Sequence, residues 1–62
     1  MRQEFLSELR GLEDNYRKLV IYIGSDEFRA RPVKVQHMLV ELRAHMDSYA
    51  AVLADLIDEV DD

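Results

Sequence analysis

The stretch VKVQHMLVELRAHMDSYAAVLADLIDEV, from Val33 to Val60, decides the fold of this chain. Its apolar residues recur at alternating steps of four and three, which places them on one stripe of an α-helix. A ladder of the same period occurs earlier in the chain. The earlier ladder consists of Phe5, Leu9, Leu12, Tyr16, Leu19 and Ile23, and the later one of Val35, Leu39, Leu42, Met46, Tyr49, Leu53, Leu56 and Val60.

The segment between the ladders is too short for anything except a reversal of direction. The sequence therefore predicts an all-α fold, an antiparallel two-helix hairpin in a single domain that spans residues 1–62. Helix one is predicted from about residue 3 to residue 23, the turn from 24 to 31, and helix two from about residue 32 to residue 60.

The turn carries several local signals. Gly24 suits the left-handed conformation that ends many helices, and Ser25 suits the N-cap of a short helical turn. We expect Phe28 to plug the open end of the core. Pro32 suits the first position of the next helix. Within helix one, Gly11 is either a tolerated surface glycine or a point of close helix crossing.

The chain is too small to stabilise a lone helical hairpin easily, and it has no cysteine for disulfides. Both stripes are wider than a two-stranded coiled coil requires, so we expect the hairpin to self-associate into a homo-oligomeric helical bundle. A charged residue at Leu42 or Leu53 is expected to unfold the protein, because it would bury an unpaired charge.

Charge is unevenly distributed along the chain. The net charge is −5, and residues 47–62 carry six acidic and no basic side chains, while Arg29, Arg31 and Lys34 cluster at the turn. An acidic chain argues against non-specific binding to duplex DNA. The absence of cysteine, of a signal-peptide core and of a long apolar run predicts a cytoplasmic protein without membrane contact.

Catalysis is not expected, because no serine lies in an activating motif and no glycine-rich phosphate loop is present. No cofactor is predicted. His37, Glu41 and His45 share one face of helix two at steps of four, which is either a metal-ligating pattern or an incidental alignment on a solvated face. We favour the solvated face and assign no metal site.

The basic turn is the predicted ligand site. Arg29, Arg31 and Lys34 have the chemistry to hold phosphates, and Tyr22 has an aromatic ring on which a base can stack. The alternative is solubilising charge around a loop, with ion pairs to Asp26 and Glu27.

The stretch from Tyr22 to Phe28, with the following turn and a helix rich in Leu, Met, Tyr and Ala, resembles small helical hairpins encoded by tailed phages and prophages. These include crAssphage-related proteins of unassigned role. The resemblance extends from about Leu12 to Ile57. This chain departs from the pattern at Gly24 and at the pair Arg31-Pro32.

The resemblance implies a phage accessory protein in the host-cell cytoplasm. The resulting hypothesis is a non-enzymatic counter-defence protein that sequesters a cyclic nucleotide-type immune signal between protomers. One alternative is a helical interaction protein that binds and modulates a host or phage protein. Another is an RNA-hairpin binder like the plasmid copy-control proteins of the Rop type, which this chain resembles in architecture.

Overall fold

The computed structural model describes residues 1–60, and these residues form an all-helical structure. Helix α1 spans Arg2–Ile23, α2 spans Asp26–Arg29 and α3 spans Val33–Glu59. The predicted all-α class is confirmed, with three helices in the described residues because the predicted turn contains the short helix α2. The long helices begin and end within one residue of the predicted positions. The molecule measures 46 × 15 × 12 Å.

Helices α1 and α3 run antiparallel, as the order of their contacts shows. Beside α2, Tyr22 contacts Arg31; further along, Tyr16 contacts Arg43 and Asp47. Nearer the start of α1, Glu8 accepts a hydrogen bond from Tyr49. Positions on α1 therefore decrease as positions on α3 increase.

Helix α2 is fixed by its N-cap and by one buried ring. The backbone N–H of Phe28 donates to Oγ of Ser25 at 3.3 Å, so the predicted N-cap is confirmed. The Ser25 hydroxyl also donates to the Tyr22 carbonyl oxygen at 2.5 Å, which joins α2 to the end of α1. Phe28 is buried, as predicted, and its ring meets that of Tyr22 edge-on at a centroid distance of 6.3 Å.

The predicted conformation of Gly24 is wrong. This residue has φ −82° and ψ 1°, and its N–H bonds to the carbonyl oxygen of Val20 at 3.3 Å. The chain continues in right-handed turn geometry because Ser25 and α2 follow immediately, so no left-handed residue is needed. Pro32 lies one position before its predicted place, as the N-cap of α3.

The core is small. Among residues 1–60 the buried apolar side chains are Phe28, Leu53 and Ile57, at 9%, 4% and 5% exposure. The accessible surface is 4,890 Å², whereas a compact globular protein of this mass exposes about 4,200 Å². The α1/α3 pair therefore leaves apolar surface uncovered.

The later ladder does not face α1 as a single stripe, and this corrects the sequence expectation. Leu39, Met46, Leu53 and Val60 are buried or half-buried, whereas the four alternate members of the ladder are exposed. One partner helix covers only one side of α3. The expected burial of Leu42 is therefore wrong within the single chain. The exposed members are Val35, Leu42, Tyr49 and Leu56.

Candidate protein-interaction surface

The exposed ladder members belong to a continuous row on α3, which we name the outer stripe. Its spacing alternates steps of three and four over the length of the helix, the period of a coiled-coil seam. Val52 is 68% exposed and Met38 58% exposed, and the other apolar members are also exposed. The outer stripe consists of Val35, Met38, Leu42, His45, Tyr49, Val52 and Leu56.

The outer stripe lies about a quarter turn around α3 from the face that packs on α1. Each residue of an α-helix advances about 100° around the axis. This advance places the outer stripe about a quarter turn from the inner residues, which are Leu39, Met46 and Leu53. Two apolar faces at such an angle are typical of a helix with two helical neighbours in a bundle. In residues 1–60, α1 occupies only one of these faces.

Helix α1 has no comparable exposed row. Its one exposed large apolar residue is Ile21, at 68%. Eight other exposed large apolar residues lie on α3. The uncovered apolar surface of the described chain is therefore mainly a property of α3. Val52 on α3 and Ile21 on α1 have the same exposed fraction, 68%.

The turn brings together two of the four predicted ligand residues. Nε of Arg31 donates a hydrogen bond to the hydroxyl of Tyr22 at 2.8 Å. This hydrogen bond raises the pKa of the Arg31 guanidinium above its ordinary value. The charge of Arg31 is therefore fixed beside an aromatic ring that already contacts Phe28.

The other two predicted ligand residues are placed differently. Arg29 is paired with Asp26 one turn earlier in α2, and Lys34 is exposed on the first turn of α3. Gln36, which no sequence motif marks, donates to the carbonyl oxygens of Arg31 and Arg29 at 2.7 and 3.3 Å. It fixes the backbone between α2 and α3, and no periodic signal marks a residue of this kind.

Tyrosines join α1 and α3 at both edges of their contact. The Tyr16 hydroxyl donates to Oδ2 of Asp47 and accepts from Nε of Arg43, both at 3.3 Å. Hydrogen bonding to Tyr16 raises the pKa of Arg43, whose guanidinium lies 5.9 Å from the ring centroid. Along the opposite edge, the Tyr49 hydroxyl donates to Glu8.

A shallow groove follows the edge that Tyr16 marks. Its volume is about 460 Å³, and α1 and α3 both line it. None of the predicted turn residues lies in it. Its lining is mixed and partly charged, so it lacks the continuous apolar character of the outer stripe. The lining residues are Leu12, Glu13, Tyr16, Arg17, Val20, Met46, Asp47 and Ala50.

The aligned residues His37, Glu41 and His45 are all exposed on α3. No group of three or more metal-ligating side chains comes together within residues 1–60. His45 instead occupies the middle of the outer stripe. The described helices also include none that is long and apolar enough to cross a membrane.

Comparison of the chain with protein families, curated proteins and solved structures gave no match. The surfaces described above are therefore the features of the chain that bear on its function. Sequence reasoning identified the turn residues but did not separate the outer stripe from the core. The signal for it is the spacing of Met38, His45 and Val52, which completes the row of the four exposed ladder members.

Proposed function

We propose that this chain is a non-enzymatic helical interaction protein that acts by stoichiometric binding through the outer stripe of α3. In this proposal the antiparallel α1/α3 hairpin self-associates into a helical bundle, and the bundle is the working form of the protein. Its partners are proteins with an apolar helical surface, of which a second copy of the chain is one.

The observation that carries the proposal is the exposure of six apolar side chains in one heptad row. An apolar patch of this continuity on a small protein is typical of an interaction site. The small core supports the same conclusion, because the three buried apolar side chains within residues 1–60 give the single hairpin little hydrophobic stabilisation. Covering the stripe would add apolar burial at about 25 cal/mol per Å².

A matched pair of variants tests the proposal. Val52→Gln changes the outer stripe and Ile21→Gln changes α1, at residues with the same exposed fraction of 68%. Sedimentation velocity from micromolar to millimolar concentration measures the assembly state of each variant. We expect association in the unmodified protein and in Ile21→Gln, and weaker association in Val52→Gln. An unmodified protein that stays monomeric over this range, or equal effects of both substitutions, would contradict the proposal.

A second candidate function concerns the turn. We propose that the basic turn binds a cyclic nucleotide-type signal, with Tyr22, Arg29, Arg31 and Lys34 as ligand residues, in a phage protein that counters host defence. The hydrogen bond between Arg31 and Tyr22 supports the ligand site, because it holds a guanidinium beside an aromatic ring. The phage setting is supported by the resemblance to small phage hairpins.

A thermal-shift panel of cyclic dinucleotides, cyclic trinucleotides and cyclic ADP-ribose isomers tests this candidate. A ligand that binds the folded state raises the melting temperature as its concentration exceeds Kd. The shift should disappear in Arg31→Ala and persist in the control Arg17→Ala. In the unmodified protein the exposed guanidinium of Arg17 pairs with Asp14 at 3.4 Å on α1, away from the turn. If no compound shifts the transition, or if the Arg31→Ala variant responds unchanged, the turn is not a nucleotide site.

A further inference from the structure

The members of the outer stripe are spaced regularly along α3. Their spacing is nearly the same from the N-terminal end as from the C-terminal end. Steps of three and four alternate from Val35 to Leu56, and His45 is the central member. A two-fold axis near His45 would set Val35 of one copy beside Leu56 of the other. The same axis would set Met38 beside Val52. Each copy of α3 would thereby cover the full stripe of the other.

The charges along one edge of the stripe change sign from one end of α3 to the other, whereas the apolar spacing is nearly symmetric. The residue that precedes every second member of the stripe lies on one exposed edge, which we name the outer rim. This rim carries a positive charge near the turn and a negative charge near the end of α3. Its members are Lys34, Glu41, Ser48 and Asp55.

From these observations we infer that the outer stripe binds a second copy of the chain, with the two α3 helices antiparallel about a two-fold axis near His45. This inference rests on the proposed function and specifies its partner and orientation. In this arrangement Lys34 of each copy lies beside Asp55 of the other. Rim charges of this kind determine the orientation of paired helices.

The parallel arrangement is disfavoured by the charge distribution. It would collect both acidic segments at one end of the dimer and both basic turns at the other. Residues 47–60 carry Asp47, Asp55, Asp58 and Glu59 and no basic side chain. The antiparallel arrangement sets each of these acidic segments against Arg31 and Lys34 of the second copy. Like charges are thereby separated over the length of α3.

The antiparallel two-fold axis also determines where the α1 helices lie. The outer rims of the two copies face one another on one side of the α3 pair. The inner faces, which α1 covers, then lie on the opposite side. Both copies of α1 are therefore on the same side, and the dimer has four long helices. His45 is a polar residue in the seam, and such a residue favours one register of the helix pair over the adjacent registers.

Disulfide trapping tests the orientation without interference, because the chain has no cysteine. Met38→Cys is mixed with variants that carry a single cysteine at Tyr49, Val52 or Leu56, in a glutathione redox buffer. Disulfides form between residues whose Cα atoms lie about 4.4–6.8 Å apart. We expect Met38→Cys to form a mixed disulfide with one of the three partners, best with Val52→Cys, and little disulfide with itself.

A charge-reversal series provides an independent readout. Lys34→Glu should raise the dimer Kd about tenfold, because two attractive pairs become repulsive. The double variant Lys34→Glu with Asp55→Lys should restore the original Kd. Within one chain these residues are 21 positions apart, about 31 Å along α3, so an intrachain contact cannot produce the rescue. Sedimentation equilibrium measures each Kd.

The outcomes separate this inference from the proposed function. A high yield of Met38→Cys disulfide with itself, or a double variant no tighter than Lys34→Glu, would overturn the antiparallel arrangement while dimerisation persists. A protein that is monomeric at all concentrations would overturn both proposals. A dimer whose Kd is unchanged by Val52→Gln would show that another surface mediates association, and it would likewise reject this interface.

Discussion

The hydroxyl of Tyr49 on α3 donates a hydrogen bond to the carboxylate of Glu8 on α1. Tyr49 is nevertheless a member of the outer stripe, and about half of its side chain is exposed. One side chain therefore contributes to two surfaces. Its polar tip joins α3 to α1, and its ring remains available to a second helix.

The ring of Phe28 closes the end of the core, and its removal should be costly. We expect Phe28→Ala to lower the free energy of unfolding by about 3 kcal/mol or more, because the substitution leaves a cavity beside Tyr22. Urea denaturation followed by circular dichroism measures this loss. Ile21→Ala is the control, since this residue is exposed on α1 and should change stability little. Equal losses in both variants would show that Phe28 is not a core residue.

The N-cap of α2 gives a second prediction. Ser25→Ala removes the acceptor for the Phe28 N–H and should destabilise the protein by about 1 kcal/mol. Ser48→Ala is the matched control, because its hydroxyl only donates to the Ala44 carbonyl oxygen within α3. Alanine is the better helix former, so this control should be neutral or slightly stabilising. The same sign and size of change in both variants would contradict the capping role.

Gly11 gives a prediction of the opposite sign. A Cβ atom at this position meets nothing within 4 Å, and the residue lies inside α1. Gly11→Ala should therefore raise the free energy of unfolding by about 0.5–1 kcal/mol, because alanine reduces the conformational entropy lost on helix formation. Thermal denaturation at several protein concentrations checks this. A loss of stability that grows with concentration would instead indicate that a second copy covers Gly11.

Charged substitutions at Leu42 and Leu53 should differ in their effects. Leu53 is 4% exposed, so Leu53→Asp buries an unpaired charge and should abolish helical structure at every protein concentration. Leu42 belongs to the outer stripe, and Leu42→Asp should retain helix content in the cold. Its melting temperature should lose the dependence on protein concentration that association produces. If Leu42→Asp unfolds as completely as Leu53→Asp at low temperature, Leu42 is a core residue of the single chain.

The sequence was sufficient for the two long helices and for α2, because their signals are local, but it gave the wrong backbone conformation for Gly24. Heptad spacing identified α1 and α3, and Ser25 with Phe28 identified the structure between them. The prediction failed where two stripes share one helix. The ladder from Val35 to Val60 runs between the inner face and the outer stripe, so its alternate members belong to two different faces of α3. Periodicity reveals that a residue is apolar on a given face, but not which partner covers that face.

The turn residues show a similar division. The sequence predicted their chemistry, since the residue type alone shows that arginine can bind phosphate and that tyrosine can stack on a base. The sequence did not predict which of these residues pair, because the hydrogen bond from Arg31 to Tyr22 joins the link between α2 and α3 to the end of α1. Gln36 was missed because it stabilises backbone carbonyl oxygens through a single amide.

The N-cap and buried ring at α2 also have a kinetic consequence. The chain segment that connects α1 to α3 is short, so closing it costs little conformational entropy. Contacts around Ser25 and Phe28 should therefore form before those near Leu53 and Ile57, which lie far from the turn along α3. Changes at Phe28 should act mainly on the folding rate, whereas changes at Ile57 should act mainly on the unfolding rate. The helices would then close from the turn outward, and their open ends would separate first when the protein unfolds.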